Sequence, residues 1–212
     1  MKHEVLYEVA KRIFDVAIVL ALLPLVLLLV LVCGLLIRLQ SPGPLLLFQI
    51  REGRHGRCFE LLKLRTMHMD SEARLKQHLD ADPSAREQWE RYFCLPRDPR
   101  VAGSVADFCR RYSIDEVPQL WNVLLGHMSL VGPRPMIPAD ARRFFSDEVR
   151  QLRLQVKPGL TGLWQATRVS KKDMLDSMAL RDLDYLKRRS LVLDLWICLR
   201  TFKSVLSGGG QY

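Results

Sequence analysis

Two carboxylates stand side by side at Asp115 and Glu116, near the start of the stretch SIDEVPQLWNVLLGHMSLVGPRP at residues 113–135. Ser113 and Glu116 have the S-x-x-E spacing of a capping box, and Pro118 suits a first helical turn, so the pair is predicted at a helix N-terminus. Taken alone this is a structural reading, because acids at a helix start gain about 0.3 to 1 kcal/mol from the dipole and need no chemical duty. The same dipole favours the ionised carboxylate, which leaves Asp115 available as a nucleophile or as a hard oxygen ligand, with Mg2+ the natural cation. Seventeen residues after Asp115, Gly132-Pro133-Arg134-Pro135 holds a guanidinium between two prolines. Such a fork, always charged on a restricted backbone, suits phosphate oxygens; the alternative for Arg134 is an ordinary surface salt bridge. Lys63 and Arg65 add a second cationic pair. Two residues apart on a strand, they share one face and suit a diphosphate, the alternative being a solvated basic hairpin.

These residues need elements to hold them. Ser-Pro-Gly-Pro at 41–44 is a turn. Apolar runs at 45–50 and 58–64 flank the basic, Gly-containing loop REGRHGR, which predicts a β-hairpin. Residues 70–91, rich in Glu, Arg, Lys, Gln and Ala and containing Pro83, predict two short exposed helices within an insert at about 68–97. Stretches 140–155 and 190–206 mix cations with apolar residues and offer Phe144, Phe145, Trp196 and Phe202 to a membrane interface. A core-packed helix is the alternative for each. The tail SGGGQY is predicted to be flexible.

Upstream, residues 16–37 form a 22-residue run without a charge, long enough at helical rise to span a bilayer core. Pro24 interrupts it, and both flanks are basic: Lys11 and Arg12 before, Arg38, Arg51, Arg54 and Arg57 after. A charge rule that puts Lys and Arg on the cytoplasmic side gives no orientation for a single span here. A helix that breaks at Pro24 and leaves by the leaflet it entered satisfies both flanks, with Lys11 and Arg12 at the level of anionic lipid head groups. A plain transmembrane helix is the default alternative. The run is too long for a signal peptide and lacks a small-residue cleavage site.

The expected fold class is α+β and helix-rich: an N-terminal re-entrant membrane hairpin at 1–40, then one catalytic domain at 41–212 with a small β-hairpin and amphipathic interfacial helices. A net charge of +9 suits an anionic membrane and phosphorylated substrates. Basic and aromatic residues do not interleave as in nucleic-acid recognition, so no nucleic-acid partner is expected. The five cysteines are odd in number and scattered without a C-x-x-C pair, which argues against a disulfide framework and fits a reducing compartment. The five histidines show no zinc spacing, and no G-x-S-x-G elbow marks a hydrolase.

Taken in order, KRIFD at 11–15, SPGP at 41–44, FQIREGRHGRCFELLKLRTM at 48–67, DPRV at 98–101, RRYSIDEVPQLWNVLLGHMSLVGPRP at 110–135 and KPGLTGLWQ at 157–165 resemble the bacterial sugar transferases. These are monotopic polyprenyl-phosphate phosphoglycosyl transferases, and the overall pattern is similar to the catalytic domains that start O-antigen or exopolysaccharide chains with a hexose phosphate. The resemblance implies that Asp115 attacks the sugar-bearing phosphorus of a UDP-sugar, releasing UMP, and that a polyprenyl (undecaprenyl) phosphate then takes the phosphosugar from the carboxylate. It implies that Glu116 holds Mg2+ beside Asp115, and that Lys63, Arg110 and Arg134 surround the phosphates. It also implies a break at Pro24, a catalytic domain on the cytoplasmic face of the bacterial inner membrane, and a homodimer. Departures from the family pattern occur at AGSVADFC (102–109), at Ala166-Thr167-Arg168, and at Arg189-Ser190. The sugar is not legible: galactose or glucose is the leading expectation, with an N-acetylated sugar the alternative. A reading of another class is a non-catalytic, membrane-anchored basic docking protein in which Asp115 and Glu116 only cap a helix.

Overall fold

A computed structural model describes residues 2–92, 95–167 and 174–208. Helix α1 (Lys2–Gln40) is built from Leu, Val and Ile with few breakers. Its docked side recurs every three or four residues, through Lys11, Asp15, Val19, Cys33 and Ile37, while Leu20, Leu25, Leu28, Leu31 and Leu36 face outward. Among the described residues it is the one helix long and apolar enough to cross a membrane.

The expected break at Pro24 is not formed. Pro24 lies inside α1 and no residue there leaves the helix. Proline removes one main-chain hydrogen bond, which bends a helix more readily than it ends one when strong helix formers flank it. Both ends of α1 nevertheless fasten to the same body. Near the start, Arg12 donates to the carbonyls of Val123 and Leu124 at 2.6 and 2.8 Å. Asp15 accepts from Ser129 Oγ at 2.7 Å and from the Leu130 amide at 3.2 Å. Near the end, Cys33 and Ile37 pack with Leu64, Ala106 and Cys109.

Strands β1 (Leu46–Glu52) and β2 (Cys58–Leu64) form the predicted antiparallel hairpin, with Leu46 opposite Leu64 and Glu52 opposite Cys58. The insert folds as predicted into α2 (Ser71–Ala81) and α3 (Pro83–Tyr92). Asp82 ends one and starts the other by accepting from the Ser84 and Ala85 amides. Trp89 lies under the Arg100 guanidinium, 4.6 Å away, and Arg100 forks onto Asp98, so the DPR turn is where the insert docks.

The chain continues through α4 (Ser104–Arg111), α5 (Gln119–Leu124), β3 (Ser129–Val131), α6 (Pro138–Phe144), α7 (Asp147–Arg153), β4 (Gly159–Thr161), α8 (Leu163–Thr167), α9 (Met174–Arg188) and α10 (Leu191–Leu206). The single helix expected over 140–155 is two. Phe145 turns into the core, and Ser146 restarts the helix by accepting from the Val149 amide. Strands β3 and β4 pair in parallel, Ser129 with Gly159 and Val131 with Thr161. One core joins Val19 of α1 to Phe59, Leu61, Val123, Met128 and Ile197. The segments 1–40 and 41–212 therefore share their packing. On α10, Asp194 and Ile197 are buried, whereas Val192, Leu195, Trp196, Leu199 and Phe202 face outward as the amphipathic reading expects. The end of the tail, 209–212, lies outside the described residues, as do Cys94 and Arg168.

Candidate active site

The capping box is not formed. Ser113 sits in the left-handed region (φ 52°) and makes no capping bond, and residues Ile114–Glu116 form a short 3-10 turn ahead of α5. That turn buries Asp115 and sets Glu116 beside it. From β2, Lys63 Nζ reaches 3.3 Å from Asp115 Oδ2 and 3.5 Å from Glu116 Oε1. Arg134 Nη2 donates to Glu116 Oε1 at 3.0 Å. Arg110, at the end of α4, lies close enough to act on the charge of Asp115.

Two clamps explain this convergence. Asn122 on α5 donates to the Glu60 carbonyl at 2.7 Å and accepts from the Leu62 amide at 3.0 Å, which locks α5 to β2 and Lys63 to the acids. The segment around Arg134 is pinned by 157–162: Ser129 N donates to Pro158 O, Gly132 N to Thr161 O and Gly159 N to Pro133 O, each at 2.9 Å. Gly132 and Gly159 approach so closely that a side-chain carbon on Gly132 would lie 2.5 Å from the Lys157 carbonyl. Arg153 completes the support, with Nη1 on buried Asp182 and Nη2 on the Arg134 carbonyl at 2.6 Å.

Charge at the dyad is divided. Burial pushes the Asp115 carboxyl above its usual range, Lys63 pulls it back, and Glu116 pushes it up again. Burial would raise Glu116 as well, but Arg134 and Lys63 hold it below its ordinary value. Arg51 adds a further cation. Burial and the neighbouring Arg134 depress its guanidinium, while Asp140 and Glu116 oppose this. The strand bearing Arg51 meets the segment after Arg134 through a bond from the Glu52 amide to the Met136 carbonyl at 3.0 Å.

Three predicted site residues lie elsewhere in role. Arg65 is buried and spends its guanidinium on the Pro44 and Met67 carbonyls and on Ser41, so it staples the SPGP turn and does not share the site with Lys63. Lys11 is buried against Asp194 at 2.8 Å, with Tyr7 and Tyr185 on the same carboxylate, and Arg12 holds the end of α5. Neither reaches toward lipid head groups, because internal acceptors take their donors first. The departures also find uses. Gly103 (φ 91°) starts α4 against Gln40. Ala166 is core and Thr167 bonds its own helix at Leu163 O. Arg189 reaches Glu8 at 2.8 Å, and Ser190 caps α10. Sequence reasoning missed Asn122, Arg153 and Asp182, whose partners lie up to 62 residues away.

The profile of the bacterial sugar transferase family matches residues 6–208. An undecaprenyl-phosphate galactose phosphotransferase of Salmonella typhimurium is 42% identical over 173 residues, covering 82% of this chain and 36% of the relative. A UDP-glucose:undecaprenyl-phosphate glucose-1-phosphate transferase of Caulobacter vibrioides is 38% identical, covering 97% and 73%. The exopolysaccharide production protein ExoY of Sinorhizobium fredii is 36% identical, covering 96% and 88%. Several of these relatives are much longer, and the chain spans 36% and 41% of the Salmonella and Erwinia amylovora proteins. With nearly its whole length matched, this chain belongs to the bacterial sugar transferase family.

Proposed function

We propose that this chain moves a sugar-1-phosphate from a UDP-sugar to undecaprenyl phosphate through a covalent intermediate on Asp115, releasing UMP. The observation that carries this reading is Lys63 held between Asp115 and Glu116, with Arg134 on the second acid and Arg110 close by. A helix cap needs none of those cations, and Asp115 caps no helix here, which weighs against the docking-protein reading. The relatives' names point to galactose or glucose as the sugar.

In the first step an Asp115 oxygen bonds to the sugar-bearing phosphorus as the bond to the bridging oxygen breaks, and UMP departs with that electron pair. In the second, an oxygen of undecaprenyl phosphate bonds to the same phosphorus and the Asp115–phosphorus bond breaks, restoring the carboxylate. Lys63, Arg110 and Arg134 stabilise charge that develops on the phosphoryl oxygens. Lys63 also favours the ionised form of Asp115 that attack requires. Both acids converge on one cation position, as the Lys63 distances show, and adjacent carboxylates suit Mg2+, which takes one or two protein oxygens and completes its shell with water and phosphate. Glu116 and Asp115 would hold that ion, and it would supply neutralisation of the diphosphate charge.

We place this chemistry on the cytoplasmic face of the inner membrane, at the start of O-antigen, capsule or exopolysaccharide assembly. The outward apolar sides of α1 and α10 support a lipid-bound enzyme. The test is UMP release by detergent-solubilised protein given Mg2+, undecaprenyl phosphate and a panel of UDP-sugars. One donor is expected to give lipid-dependent UMP and a trappable labelled phosphosugar on the protein. Asp115→Asn is expected to abolish both, with a loss of at least about a thousandfold. A folded Asp115→Asn protein of undiminished rate removes Asp115 as nucleophile.

A further inference from the structure

The 157–165 segment ends on Gln165, and its side chain is in an unusual state. Both the amide nitrogen and the amide oxygen are withdrawn from solvent, and neither has a partner among the described residues. A primary carboxamide offers two donors and two acceptor lone pairs, and buried groups of this kind are nearly always paired. Two further buried atoms lack a partner: Nε1 of the adjacent Trp164 and Nε of Arg110, the cation that acts on the charge of Asp115.

The location of Gln165 is fixed by backbone contacts. A side-chain carbon on Gly162 would meet Gln165 Oε1 at 2.9 Å and the Gly132 carbonyl oxygen at a still shorter distance. The amide thus adjoins Gly132, two residues before Arg134, whose guanidinium is bonded to Glu116. Helix α8 is rigidly seated, with Leu163 and Ala166 in the core on either side of Gln165. The amide is therefore held against the backbone of the segment that leads to Arg134, and no described residue uses it.

We propose that Gln165 is a donor-contacting residue whose carboxamide pairs with a neutral group presenting a hydrogen-bond donor and acceptor together. In a sugar nucleotide that group is a sugar hydroxyl or the imide edge of uracil. The inference rests on the UDP-sugar reading above and deepens it. Phosphate charge is already met by Lys63, Arg110, Arg134 and Arg51. A neutral amide adds little Coulomb attraction and instead discriminates between donors, because a ligand lacking the matching group leaves the buried amide unpaired.

The test uses the full chain in detergent, comparing wild type with Gln165→Ala and with Gln165→Met, which keeps the length without the amide. Thermal melting reports folding, and kcat/KM for several UDP-hexoses is read beside inhibition by UMP. Both variants are expected to fold and to lose about tenfold or more in kcat/KM for the preferred donor, chiefly through KM. Unchanged UMP inhibition with a compressed ratio between hexoses assigns the contact to the sugar. UMP inhibition weakened by the same factor assigns it to uracil. The inference is overturned if folded Gln165→Met keeps kcat/KM, donor ratios and UMP inhibition within about twofold of wild type. Wild-type protein that releases no UMP from any donor defeats the underlying reading instead, and the donor contact falls with it.

Discussion

At the scale of the residue, the dyad works against its own burial. As the proposed nucleophile Asp115 would have to be ionised, yet burial and Glu116 both favour its protonated form, and Lys63 is the nearest opposing charge. Replacing Lys63 by Met keeps the aliphatic stem and removes that charge, so the Asp115 carboxyl rises further. Activity that depends on the carboxylate should then appear only at higher pH, with the acid limb of the kcat/KM profile displaced upward. A profile that merely drops in height would show that Lys63 serves the phosphates alone. The convergence of Lys63 and Arg134 on Asp115 and Glu116 was foreshadowed by residue type and spacing, whereas Arg110 entered only through the family resemblance. Arg65, Lys11 and Arg12 were misread for one shared reason: a cation in a sequence does not reveal whether a carbonyl or carboxylate will claim it. Ser113 misled in another way, since its spacing suits a cap but its positive φ forbids one.

At the scale of the element, Arg134 depends on a buried pair between α7 and α9. Asp182 is pushed up to about 6 by burial, against the pull of Arg153. Its advantage to the fold is therefore complete below its ordinary value of 3.8 and is lost as pH rises through about 6. In Arg153→Met the pull is gone and the folded carboxyl holds its proton to still higher pH. The variant should be less stable by about 3 to 5 kcal/mol, and its deficit should widen above pH 6, where the wild-type loss has ended. Urea melts at pH 5 and pH 8 check this, and equal deficits at both would mean Asp182 does not titrate with folding. The β-hairpin and the insert were legible because alternation, Gly-containing loops and Pro83 mark them locally. The β3–β4 pairing was not, because three-residue strands joined across nearly thirty residues leave no periodicity to read. The division of 140–155 was likewise hidden, because Phe145 fits an amphipathic pattern whether it faces lipid or core.

At the scale of the whole molecule, α1 is tied near both ends to a single body, while its remaining sides and the outer side of α10 are apolar and uncovered. A helix tethered in this way should present its two ends on the same side of a bilayer. With Cys58 and Cys94 changed to Ser, Val5→Cys and Leu39→Cys, both at exposed positions, should each react with an impermeant maleimide in inverted membrane vesicles. Labelling of one only from the opposite side would establish a crossing. The charge balance around the apolar run favours the same arrangement, and α1 runs without a break through Pro24, which a continuous helix accommodates. The way Asp15 grips Ser129 and Leu130 has a practical result for anyone preparing the protein. Cutting the chain after Gln40 to gain a soluble fragment would not yield a smaller enzyme. It would strip a hydroxyl and an amide of their acceptor, open the core at Val19, and release α5 from Arg12. Solubility here is better sought in the detergent or nanodisc than in the cloning boundary.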